Sequence, residues 1–230
     1  MNENELVLTS PEPEKVEVLL STPKGTLDLR RCDCMEMMKE FPDGHFDLAI
    51  VDPPYGIGMS GGQVGYKGIN NLARKDWDNA IPCPESFQEL KRASRNQIIW
   101  GGNYFHVPPS RCWVIWDKGE GFQNRSYAEA ELAWTSFDAN VYKIKRDPLA
   151  NGDYHGKIHP TQKPIFLYQQ LLQRYSEPGH RILDTHLGSG SHAIACHYFF
   201  AQLTASEIDP DYFREASARI KRETAQQTLF

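Results

Sequence analysis

Long apolar runs are missing from this chain of 230 residues. No window approaches the roughly 18 uninterrupted apolar residues of a membrane span, so no membrane partner is expected. The first residues also lack the basic and apolar blocks of a secretory leader, because Glu3, Glu5, Glu12 and Glu14 make them acidic and polar. Cysteine is scarce and unpaired in pattern. Cys32, Cys34, Cys83, Cys112 and Cys196 are odd in number, and Cys32 and Cys34 have no second pair at zinc-site spacing. Reduced thiols in a cytoplasmic compartment are expected, with neither a disulfide framework nor a metal site. Internal repeats and low-complexity tracts are absent as well. An excess of basic charge is missing too: the formal net charge is −5. That balance weighs against a nucleic-acid partner, but it is unevenly spread. Residues 1–50 hold eleven acids and five bases, whereas residues 51–230 hold twenty bases and nineteen acids.

The most informative stretch is Asp52-Pro53-Pro54-Tyr55, which follows the apolar run Leu48-Ala49-Ile50-Val51. The run reads as a buried parallel strand. Two prolines end it, since neither can donate to a sheet ladder. What remains is a rigid platform carrying one carboxylate, proline carbonyls of fixed direction and an aromatic ring. Such a set suits a planar amine attached to an aromatic ring, whose lone pair is delocalised and therefore poorly nucleophilic. A carboxylate and a carbonyl accepting its two N–H bonds favour a tetrahedral nitrogen with a localised pair. The other reading is an ordinary strand ending in a Pro-Pro turn, with Asp52 as a turn residue.

The length fits one domain with a substantial core. Residues 1–25 read as a polar extension, loosely attached. Thr26–Arg30 alternates as a strand and leads to Asp33, and Cys34–Glu40 reads as a helix. Residues 56–80 form a long connection with six glycines between Gly56 and Gly68, and loops of this length are usually functional. Glu85–Ser94 reads as a helix, Gln97–Trp100 and Cys112–Trp116 as strands, and Glu129–Trp134 as a further strand. Residues 137–158 show no clear period. Ile165–Tyr175 has helical apolar spacing. Strands alternating with helices imply an α/β layer fold.

Near the carboxyl end, strand Arg181–Asp184 is followed by the tight turn Thr185–Ser191, a helix from His192 to about Ala201, a strand Gln202–Glu207 and a helix Asp211–Glu223. Gly188, Gly190 and Ala193 fit the glycine spacing of nucleotide-binding βα turns, and Glu207 lies where an acid grips ribose hydroxyls. Tight strand–helix packing also produces such turns. Too little chain follows Glu207 for further strands, so the rest of the sheet must come from earlier residues. The expected fold is therefore a Rossmann-like, doubly wound, mostly parallel sheet, circularly permuted, with both features lining one crevice.

Three motifs in this order, Asp52–Tyr55, His159-Pro160-Thr161-Gln162-Lys163-Pro164 and Asp184–Ser191, resemble those of the S-adenosylmethionine-dependent amino-methyltransferases of DNA, in the permuted group called the β class. The resemblance covers roughly residues 26–222, leaving 223–230 as a tail. It implies that Asp52, Pro53, Pro54 and Tyr55 hold a flipped base, with Tyr55 stacked on it. It also implies that Asp184, Gly188, Ser189, Gly190 and Ser191 cradle the methionine part of the cofactor, that Glu207 holds its ribose, and that Asp33 and Cys34 lie near its adenine. His159, Thr161 and Lys163 belong to the segment closing over the methionine end. The expected reaction is methylation of an exocyclic amine of DNA, adenine N6 before cytosine N4, because the Asp form of the platform leans that way in the family. Thr185, His186 and Ser191 depart from the family turn, and His186 is either a satisfied turn residue or a cofactor contact. A target-recognition region is confined to residues 118–158, so a homodimer or a specificity partner is envisaged. The Gly56–Gly68 loop is expected to fold over the substrate. Arg74, Lys75, Lys143, Lys145 and Arg146 are candidate phosphate contacts, although a basic stretch is as readily a solvated loop. Rival readings are amino-methylation of RNA or protein, a non-catalytic binding module, and a dehydrogenase, which the late glycine turn disfavours.

Overall fold

The architecture follows from strands whose apolar residues are continuous rather than alternating. In the computed structural model, which describes residues 16–22, 25–60 and 75–225, β3 (Phe46–Val51) is the central example. Its Leu48 and Ile50 are buried in one cluster and Ala49 and Val51 in another, so the strand is covered on both faces. α1 (Cys34–Lys39) and α2 (Pro84–Ala93) cover one side through Met37, Met38 and Leu90. α3 (Ile165–Tyr175), α4 (Ser191–Phe199) and α5 (Pro210–Ala225) cover the other through Leu167, Leu171, Ile194 and Ile220. Three of these helix starts have a local cause. Asp33 caps α1 by accepting the Met35 N–H at 2.7 Å, and Pro84 opens α2, where its missing N–H has no helical partner to lose. Asp209 caps α5, accepting from the N–H groups of Asp211 and Tyr212.

The nine described strands form one sheet in the order β1 (Val16–Thr22), β2 (Gly25–Arg31), β9 (Gln202–Ser206), β8 (Arg181–Asp184), β3, β4 (Ser94–Trp100), β6 (Ala130–Thr135), β5 (Trp113–Asp117) and β7 (Tyr142–Lys145). The five strands from β2 to β4 run parallel. The chain proceeds outward from β3 to β4 on one side, while the late strands β8 and β9 fill the other. The order thus reverses between β3 and β8, and the crevice at their carboxyl ends is where ligands of doubly wound sheets bind. The strand with the Pro-Pro platform precedes the one with the glycine turn in the chain, yet they are neighbours in space. This is the permuted, mostly parallel arrangement expected from the sequence.

Three expectations are corrected. Residues 1–25 are not all loose extension. Val16–Thr22 forms β1, antiparallel to β2 from Val16↔Arg31 to Thr22↔Gly25, with Val16, Val18 and Leu20 against the core. Residues 137–158 hold β7, whose four residues are too few to register as a period, although Ile144 is buried. The last helix also passes residue 222, reaching Ala225. Among the described residues no helix is long and apolar enough to cross a membrane.

Candidate active site

A cavity of about 700 Å³ opens at the β3–β8 crevice, lined on one side by Asp52–Tyr55 and on the other by His186–Ser189, Ser191 and Glu207. Asp52 sits at the end of β3, and both of its oxygens are engaged. The Tyr55 hydroxyl donates to Oδ1 at 2.6 Å, and the Lys163 ammonium donates to Oδ2 at 2.6 Å. Burial pushes the Asp52 pKa up, against the opposing pull of Lys163. The platform loop is held from outside the motif. Asp78, 2% exposed, accepts from the backbone N–H groups of Tyr55, Gly56 and Met59 at 2.8, 2.9 and 2.6 Å. Tyr55 was expected to stack on a base. Its ring stacks on Tyr104, with centroids 4.9 Å apart and planes at 13°. Tyr104 is 41% exposed and is the outer member of this aromatic pair.

Lys163, assigned by resemblance to the cofactor, lines the cavity and is bound to the platform at Asp52. Its Nζ also lies 3.1 Å from Glu131, whose other oxygen is 2.6 Å from the Lys118 Nζ. Burial alone would push Glu131 up, but Lys163 and Lys118 hold its pKa down at about 2. Lys157, half-buried at the cavity wall, has its ammonium over the Tyr154 ring, and burial lowers its pKa to about 8. Glu131, Lys118, Asp78 and Tyr104 were not anticipated from the sequence. Glu131 had one legible signal, since it shares a strand face with the fully buried Ala133 and Thr135.

On the β8 side, Gly188 and Gly190 have φ of +53° and +77°. A Cβ at Gly190 would meet the Ile220 side chain at 2.8 Å, so close packing as well as conformation selects glycine there. Glu207 lies where β9 ends and accepts the Gly188 and Asp209 N–H groups, each at 2.9 Å. Burial raises its pKa to about 7. His159, whose ring packs between Trp77 and Tyr212, and Thr161 line the same wall. Burial lowers the His159 pKa to about 3, leaving a neutral imidazole. Ser189 and Ser191 line the cavity, and Arg219 braces both. His186 fits both of its readings, because Thr185 Oγ1 lies 2.9 Å from its Nδ1 while its ring faces the cavity. Asp184 and Gly190 do not line the cavity. Asp184 lies beneath the turn, accepting the His186 N–H at 3.0 Å and lying 2.9 Å from His192 Nδ1. Asp33 and Cys34 do not line it either, Asp33 being the cap of α1.

The phosphate candidates fare differently. Arg74 and residues 61–74 of the glycine loop lie outside the described residues. Lys75 is committed to Asp209 and Asp211, at 2.5 and 3.0 Å, and Arg146 pairs with Asp153 at two points. Lys143 reaches Asp117 at 3.2 Å from an exposed position, and Lys145 is exposed. Pairing with nearby carboxylates is what a mildly acidic protein imposes on most of its bases.

A mostly parallel, doubly wound sheet with a glycine turn and a buried acid on one lip of its crevice, and a rigid carboxylate platform on the other, has the layout of a ligand-binding α/β fold. The family model described as DNA methylase, covering N6 and N4 methyltransferases, matches residues 77–218, and the chain belongs to that family. It is 26% identical over 206 residues to YubD of Escherichia coli (strain K12), whose name places it among methylases; the match spans 82% of this chain and 87% of that one. Among solved structures, that of M1.HpyAVI with SAM superposes with a TM-score of 0.56 at 18% identity, over 84% of this chain and 99% of that one. The cytosine-N4-specific PvuII DNA methyltransferase gives a TM-score of 0.54 at 14% identity, over 87% and 92%. At these identities the structural likeness establishes the fold.

Proposed function

We propose that this chain transfers a methyl group from S-adenosylmethionine to the exocyclic amine of a base flipped out of DNA, adenine N6 in particular. One observation carries this reading. The Asp52 carboxylate and the Gly188–Glu207 wall face the same cavity from adjacent strand ends. The residues present suit the cofactor. Glu207 offers a buried carboxylate to a diol, Trp77 and Tyr212 offer flat apolar walls, and at Gly188 a Cβ would point toward the His159 ring at 3.8 Å, so glycine keeps this gap open. When bound, the cofactor supplies a methyl group on a cationic sulfur.

The protein's part is positioning. A base inside a duplex is out of reach, and extruding it costs a few kcal/mol. Asp52 and the Pro53 carbonyl accept the amine hydrogens, and the Tyr55–Tyr104 pair supplies the aromatic surface on which the base rests. Holding nitrogen and methyl in line is worth orders of magnitude in rate without a covalent protein intermediate. Adenine is preferred over cytosine because of the Asp form of the platform; cytosine N4 is the second reading, favoured by the breadth of the family, which includes both. Incubation with labelled cofactor and unmethylated DNA, followed by digestion to nucleosides, tests the proposal. N6-methyladenine supports it, N4-methylcytosine selects the second reading, and absence of label sinks both.

A further inference from the structure

Asp52 is not held by its motif alone. Beside it a chain of alternating charges runs along the cavity wall, from the end of β3 through the segment before α3 to β6 and the end of β5. The Lys163 ammonium sits between Asp52 Oδ2 at 2.6 Å and Glu131 Oε2 at 3.1 Å, and Glu131 Oε1 is 2.6 Å from Lys118 Nζ. The two lysines are nearly inaccessible, with side-chain exposures of 3% and 8%. Two carboxylates and two ammoniums balance. An isolated buried ammonium would be costly, and a lysine with a single acid partner would settle wholly upon it. Glu131 prevents that by drawing Lys163 to one side.

We propose that Glu131 is a positioning residue for methyl transfer, holding the Lys163 ammonium on one edge of Asp52 so that the remaining acceptor directions of that carboxylate stay open to the incoming amine. This rests on the function proposed above, because only an amine-binding Asp52 gives the arrangement a purpose. Glu131 lines the cavity but bears on the amine through Lys163, not directly. Its charge is faced by Lys118 beyond β5, by Lys163 and Lys157 from the segments before α3, by Asp52 and Tyr55 at the end of β3, and by Tyr168 on α3. Removing it leaves two ammoniums against one carboxylate. An amide oxygen in its place is contested by both lysines.

Glu131→Gln keeps the side-chain shape and removes the charge. With the unaltered chain active, the variant is expected to bind cofactor within about twofold of the parent by calorimetry while kcat falls about tenfold or more. Because Glu131 raises the pKa values of both Asp52 and Lys163, its loss moves both limbs of the kcat–pH profile toward acid. Removing the competing ammonium as well, in Glu131→Gln with Lys118→Met, frees the amide oxygen for Lys163, so part of kcat and the parent profile are expected to return. A uniform loss at every pH with no recovery in the double variant would mean a merely structural role and overturn the proposal, as would a kcat within twofold of the parent. Carboxyl-carbon NMR titration of Asp52 reads the same claim without turnover: its midpoint falls in Glu131→Gln, and an unchanged midpoint overturns the proposal. If the parent methylates no DNA, the functional reading fails by itself while this titration still decides the arrangement.

Discussion

The two oxygens of Asp52 are satisfied before any substrate arrives, one by a hydroxyl and one by an ammonium. Each oxygen keeps a second acceptor direction, which is what an amine with two hydrogens needs. Asp52→Asn keeps the size but turns one acceptor into a donor facing Lys163. It is expected to lower kcat about 10²–10³-fold, the usual cost of removing one preorganised polar partner, with cofactor binding unchanged by calorimetry. Glu207 sets a second expectation. Its pKa of about 7 means that the carboxyl is protonated below neutrality and ionised above it. An ionised carboxylate accepts two hydroxyls best, so cofactor affinity is expected to rise as pH increases through about 7 and to level off beyond it. In Glu207→Gln that slope disappears; a slope that persists would place the titrating group elsewhere. At this scale the sequence was readable where chemistry and local backbone coincide, as in the Pro-Pro stop and the glycine turn. It did not reveal the contacts of Glu131 with Lys163 and Lys118, which arise only through the antiparallel placement of β6 beside β4 and β5.

Elements explain why the site holds its shape. β1 covers the open edge of β2, and its alternate residues Val16, Val18 and Leu20 rest on the core while Glu17 and Leu19 face outward. Three half-buried apolar side chains at about 1 kcal/mol each put its contribution near 3 kcal/mol. Deleting residues 1–22 is therefore expected to lower Tm by about 6–12 °C; an unchanged Tm would mean that the strand adds nothing. The platform loop depends likewise on one distant side chain. In Asp78→Ala the N–H groups of Tyr55, Gly56 and Met59 lose their acceptor, and hydrogen exchange at these amides is expected to quicken about tenfold or more. The missed strands have physical causes. β1 lies in a polar, proline-bearing stretch, and its neighbour supplies the pairing that composition does not reveal. β7 is four residues long and borrows its order from β5.

For the whole molecule the decisive fact is topological. Residues far apart in the chain meet because the strand order reverses between β3 and β8, so the platform and the glycine turn face one cavity. Each motif was legible separately, and the α/β layering followed from the alternation of strands and helices. The contact of Lys163 with Asp52, which ties the hexapeptide to the platform, was not, since the hexapeptide was read with the cofactor. On the function proposed above, the platform serves amine methylation in DNA at Asp52. The measurement that meets it most directly is transfer of labelled methyl from S-adenosylmethionine to unmethylated DNA by the unaltered chain and by Asp52→Ala, with the product digested to nucleosides. Label in N6-methyladenine is expected with the parent and none with the variant. Equal label from both proteins, or none from either, would contradict it.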